Sequence, residues 1–231
     1  MSDPAPNAEL MRSLGRLVRG LSALFWGLPL AFLVCYYTAK VESLKAFGAV
    51  PPLVCTGLLV YALGQLGAFQ KQERVWRAAL DRARLFALIN FGLSPFLYWS
   101  NRMPDNRFFS VSVMVMVLSA LVFLGCLNLV IRRLGAMLPD ETLRLETRQF
   151  TALNLNLLTA TFFFGALSVL LPRVPEPRSI LYGTALVILE RGSLWFLILL
   201  VLLPLAMTMA LLWKTKEVIL DNVFGAKPPV L

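Results

Sequence analysis

Apolar residues in this chain come in blocks of about twenty, and that block length constrains the fold more than any other feature. An α-helix rises 1.5 Å per residue, so about 20 residues cross the roughly 30 Å hydrocarbon core of a bilayer. Five blocks reach that length, at residues 20–39, 46–69, 108–131, 150–171 and 194–213. A sixth, 85–101, has 17 residues and carries Asn90, Ser94 and Pro95. With 58% hydrophobic side chains, 15% charged and a mean hydropathy of +0.72, the chain falls outside the range of soluble domains. The expected fold is all-α: a polytopic transmembrane helix bundle of about six spans.

Lysine and arginine sit between the blocks, and their distribution sets an orientation. Alternate segments hold 15 and 7 of the 22 basic residues. Positive residues are retained on the cytoplasmic side, so segment 1–19 and tail 214–231 are expected inside, flanking a membrane domain over 20–213. Omitting 85–101 would turn 108–131 against this bias. Tyr36, Tyr37, Tyr98, Trp99 and Trp195 then fall at the outer interface and Trp213 at the inner one. The first block is expected to stay uncleaved. Asp3 and Glu9 lie in its leader, no A-x-A site follows, and Leu33-Val34-Cys35 lacks the small residue that precedes a lipobox cysteine. The compartment this describes is a bacterial-type cytoplasmic (inner) membrane. The net charge of +9 suits anionic lipids at its cytoplasmic face; with no soluble basic domain, nucleic acid is not an expected partner.

Two inner loops carry helical patterning. In 73–84, Val75, Trp76, Ala79, Leu80 and Ala83 recur at helical spacing, with charge pairs expected from Glu73 to Arg77 and from Arg77 to Asp81. Pro139-Asp140-Glu141-Thr142 reads as a helix start leading through Leu143 to Phe150, with Asp140 spaced to pair with Arg144. Amphipathic cytoplasmic helices are therefore expected between spans 2 and 3 and between spans 4 and 5. A faint echo links them: Asn90 lies six residues after Arg84, and Asn154 six after Arg148.

Chemistry is constrained mainly by what is missing. The chain has no histidine, hence no imidazole ligand and no side chain whose unperturbed pKa lies near neutrality. Cys35, Cys55 and Cys126 lie in apolar blocks without CxxC spacing, as packing residues would. No lysine or aspartate lies within the six blocks, which removes the base of a membrane serine protease and the pair of an aspartyl protease. GxxxxGK[ST] and GxGxxG are absent too. No enzymatic activity, cofactor or metal site is expected.

Polar groups within spans are costly, which makes them the default place to look for function. Asn154, Thr161, Gly165 and Ser168 share a helical face; so do Gly57, Tyr61, Gly64 and Ala68, and Ser112, Ser119 and Cys126. Such faces ordinarily pack helices together. Asn90 and Asn154 are expected to form interhelical hydrogen bonds, and with Asn156 they are the candidates for a polar pathway. Glu190 and Arg191 form the one charged pair inside the long apolar stretch 180–213, expected at the outer headgroup level with 180–189 interfacial or re-entrant. Packing faces and a basic inner surface suit a non-catalytic scaffold or accessory subunit, bound to membrane-protein partners or to its own copies. The alternative is a small-solute transporter or channel.

Overall fold

Proline, asparagine and glycine punctuate this chain into rods. The computed structural model describes residues 4–41, 47–70, 72–138, 140–170 and 200–221. Its elements are α1 (Pro4–Lys40), α2 (Val50–Leu66), α3 (Arg74–Leu93), α4 (Pro95–Arg102), α5 (Arg107–Met137) and α6 (Glu141–Leu170). A further helical segment covers 200–221, and no strand occurs among the described residues. Pro51 and Pro52 occupy the first turn of α2, where their missing N–H groups cost nothing, and Gly67 caps its end. Asn106 caps α5 by accepting from the Phe108 amide at 3.0 Å. Asp140 opens α6, accepting from the Thr142 amide at 2.9 Å and its hydroxyl at 2.6 Å.

Two stretches, Met11–Lys40 and Arg107–Met137, are long and apolar enough to cross a membrane, at 30 and 31 residues. The expected second span, 46–69, is shortened to the 17 residues of α2, about 25 Å of helix. The Pro51-Pro52 start and the Gly67 cap account for that. The expected third span, 85–101, is divided between α3 and α4 at Pro95. Neither inner amphipathic helix is a separate element: 74–84 is the first half of α3, and 141–150 opens α6. The tail expected from 214 stays helical to Asp221.

Neighbouring rods alternate in direction. Gly20 of α1 faces Ala62 and Leu66 of α2, whereas Gly27 faces Leu58 and Leu59. Arg84 of α3 reaches Leu63 while Ser94 reaches Thr56. Phe96 and Trp99 meet Phe108 and Phe109 across the α4–α5 turn. Gly135 of α5 abuts Thr147 of α6, and Asn128 meets Asn154. Glu146 pairs with Lys214, and Thr161 meets Leu200. Counting α3 and α4 as one bent rod, the described chain makes six antiparallel passes. Phe25 closes the bundle against Trp213, with ring centroids 5.4 Å apart. The far end is tied by Asn101, whose amide donates to the Thr38 carbonyl at 3.1 Å.

The core joins leucines 17, 21, 24 and 28 of α1 to Leu59, Leu63 and Leu66 of α2, Trp76 and Leu80 of α3, and Phe123, Leu127, Ile131 and Leu134 of α5. The α2 packing face differs from expectation. Tyr61 and Gly64 are exposed, and nothing lies within 4 Å of where a Gly64 side chain would begin. The buried stripe is Cys55, Leu59, Ala62 and Leu66, because the small residues that admit close approach lie on the partner: Gly20 and Gly27 of α1 receive α2's leucines. Of the two glycines in the expected face, Gly57 is the one that packs closely: a Cβ there would lie 3.2 Å from the Phe91 ring.

Candidate functional site

Threonine and asparagine recur along one side of α6 at positions 147, 151, 154 and 161, with Leu158 between, and all five are buried. Their alternating spacing of four and three is that of a seam between packed helices. The facing groups are Asn128 on α5 and Thr208 in the 200–221 segment, both fully buried.

Asn154 is the node. The two hydrogens of its Nδ2 are shared among three acceptors, Asn128 Oδ1 at 3.0 Å, Thr208 Oγ1 at 2.9 Å and the Pro204 carbonyl at 3.2 Å. Asn128 Nδ2 donates to Thr208 Oγ1 at 2.9 Å and to the Leu124 carbonyl of its own helix at 2.8 Å. The Thr208 hydroxyl accepts from both amides and donates to the Pro204 carbonyl at 2.7 Å, which uses its full bonding capacity. Thr151 adds a long bond of 3.5 Å to the Asn128 carbonyl. Asn154 Oδ1 has no partner.

Beside this node the seam serves a carbonyl that a proline strands within a continuous helix. Proline lacks an N–H, so Pro204 leaves the carbonyl four residues earlier, at Leu200, without its helical donor. Thr161 of α6 supplies one: its hydroxyl lies 3.0 Å from the Leu200 carbonyl and shares its single hydrogen between that oxygen and the Leu157 carbonyl of its own helix, at 2.8 Å. Pro95 poses the same problem at Phe91, and there Ser94 of the same rod donates to the Phe91 carbonyl at 2.9 Å, with Thr56 of α2 3.4 Å from the serine hydroxyl. In an apolar surround such hydroxyls are what make an interior proline tolerable. Replacing Thr161 by valine should lower stability by about 1 kcal/mol, read as a fall of about 2–4 °C in detergent melting. In a Pro204→Ala background the new alanine brings its own N–H to the Leu200 carbonyl, so the same substitution should lose most of its effect. Equal losses in both backgrounds would sink the repair account.

The residues singled out in the sequence fare differently. Asn154 makes the interhelical bonds expected of it. Asn90 is buried on α3, but its Oδ1 has no partner, and among the described residues its side chain makes no cross-helix bond. Asn156 is exposed, two residues and about 200° round the helix from Asn154. The structure therefore does not bring the three asparagines together. Gly165 has nothing within 4 Å of where a side chain would begin. Ser119 is buried with an unpartnered hydroxyl, whereas the Ser112 hydroxyl bonds back to Phe108 at 2.9 Å. Glu190, Arg191, Ser168 and Trp195 lie outside the described side chains. On α3, Asp81 pairs with Arg84 at 3.4 Å. Arg84 and Arg148, which head the suspected repeat, also part company: the former is half-buried and bonded to α2, the latter exposed. Asn128 and Thr208 were the residues missed. Asn128 is the one amide in block 108–131 and could have been picked out as such.

Among the described residues no group of three or more histidine, cysteine or carboxylate side chains is placed to hold a metal ion. No family model, no curated protein and no solved structure matches the chain.

Proposed function

We propose that this chain is a multi-pass integral membrane protein of six spans, with both termini on the cytoplasmic side of a bacterial-type inner membrane, serving as a non-catalytic scaffold or accessory subunit of a membrane assembly. One observation carries the functional part: Asn154, one of the three pathway candidates, is fully buried and its amide nitrogen is spent on two neighbouring helices. Polar groups used in this way hold helices together rather than offering a solute a route. The membrane part draws support from the two long apolar helices, the six antiparallel passes and the many large apolar side chains left exposed, Trp26, Phe162 and Phe163 among them. Such a surface is costly in water and ordinary in lipid. The expected basic face agrees, because α1's Arg12, Arg16 and Arg19 precede Gly20 where it meets the end of α2.

Reporter fusions at Arg102, Pro139 and Lys227 test the orientation. A periplasm-dependent reporter should be active at Arg102 only; activity at Pro139 or Lys227 would overturn the arrangement. Purification in mild detergent should recover the chain in fixed stoichiometry with other membrane subunits, and reconstituted alone it should conduct no solute. Interior prolines in three rods, Pro29, Pro95 and Pro204, and the unpartnered Asn90 and Asn154 oxygens favour the second reading, a small-solute transporter. A lone protein whose flux in liposomes is blocked by substitutions at Asn154 or Glu190 would establish it instead.

A further inference from the structure

The end of α2 meets the first half of α3 around a cavity of about 240 Å³ lined by Gly67, Trp76, Arg77, Leu80, Asp81 and Arg84. Gly67 makes this possible, since a Cβ there would overlap the Arg84 guanidinium. Arg84 Nη2 donates to the Leu63 carbonyl at 3.1 Å, near the negative end of the α2 dipole, while Nη1 contacts Asp81 at 3.4 Å. Trp76 is fully buried, and its indole N–H has no partner in the protein. Arg77 stands exposed on the rim. The face of α3 that carries Arg77 and Asp81 continues into Leu85 and Leu88, whose side chains are 55% and 52% exposed. Two cations on the wall of one cavity, two helical turns apart, with an apolar track leading away along the same helix, match a phosphate joined to acyl chains better than a free anion.

We propose that this cavity binds the phosphate headgroup of an anionic phospholipid whose acyl chains lie along Leu85 and Leu88. The proposal rests on the membrane reading above and is independent of the choice between scaffold and transporter. Basic pockets between membrane helices on the cytoplasmic side take such headgroups, and this one lies at the end of the bundle toward which Arg12, Arg16 and Arg19 of α1 extend. Asp81 competes with the phosphate for Arg84.

The test uses the full chain in mild detergent micelles doped with phosphatidylglycerol or phosphatidylcholine, with lipid retention read by native mass spectrometry and fold by thermal melting. Phosphatidylglycerol should be retained in preference. Arg77→Gln should weaken that retention about fivefold with melting in lipid-free micelles unchanged, and Asp81→Asn should strengthen it. Arg84→Gln is less decisive by itself because it also uncaps α2, so Arg77→Gln and Asp81→Asn carry the result. Equal retention of both lipids, or a folded Arg77→Gln that retains phosphatidylglycerol like the parent, would overturn the site. Displacement of the lipid by millimolar inorganic phosphate would assign the cavity to a free anion. A chain that stayed soluble without detergent would refute the membrane reading, whereas one that needs detergent but ignores headgroup charge refutes only the pocket.

Discussion

Replacing Asn154 by leucine is expected to lower the apparent melting temperature in detergent by about 4–8 °C, whereas the same change at Asn156 should move it by no more than about 2 °C. The two hydrogens of the Asn154 amide serve three acceptors on two neighbouring helices. At an average of about 0.6 kcal/mol for a hydrogen bond between membrane helices, their loss amounts to roughly 2 kcal/mol. The unpartnered Oδ1 leaves with the side chain and trims that cost, while the Asn128 oxygen, now without a donor, adds to it. Asn156 faces outward and makes none of these bonds. An unchanged melting curve for Asn154→Leu would refute the structural role, and with loss of a transport activity it would hand the residue to the pathway reading.

Alanine at two glycines should act in opposite directions. Gly20→Ala sets a methyl carbon against Leu66 and 2.9 Å from the Ala62 carbonyl oxygen, which is backbone and yields little. Forcing α1 off α2 in this way should cost about 2 kcal/mol. Gly64→Ala meets nothing within 4 Å, so the better helix propensity of alanine should leave the protein unchanged or up to about 1 kcal/mol more stable. Thermal melting of the two variants side by side checks both. A similar fall for each would mean that Gly20 is not where α1 and α2 touch.

The rods themselves were readable because their causes are local. Block length located the helices, and the start read at Asp140 is one the structure keeps, whereas Pro95, read as lying within one span, divides it. Packing faces were harder. Grouping Gly57, Tyr61, Gly64 and Ala68 treated small residues on α2 as the contact, when the space is provided by Gly20 and Gly27 on α1. Nothing local to α2 reveals its partner's surface. The asparagines show the same limit: Asn154 and Asn156 are neighbours in sequence and face opposite ways in space, whereas Asn128 and Thr208 lie 80 residues apart and share a bond. The expected pairs along α3 concerned its own charges, but Arg84 is drawn toward the Leu63 carbonyl across the bundle.

The cross-helix repair at Pro204 also bears on biogenesis. Helices leave the ribosome in chain order, so α5 and α6 can join Asn128 to Asn154 before residue 200 has been made. The last segment carries a carbonyl that its own backbone cannot satisfy, and the hydroxyl that serves it already waits on α6. On the proposed six-span reading, its entry into the bilayer is thereby coupled to docking. On that reading, a nascent chain stalled before that point would leave the buried face of α6 that carries Asn154 and Thr161 uncovered, a mark by which membrane quality control can tell it from the docked bundle.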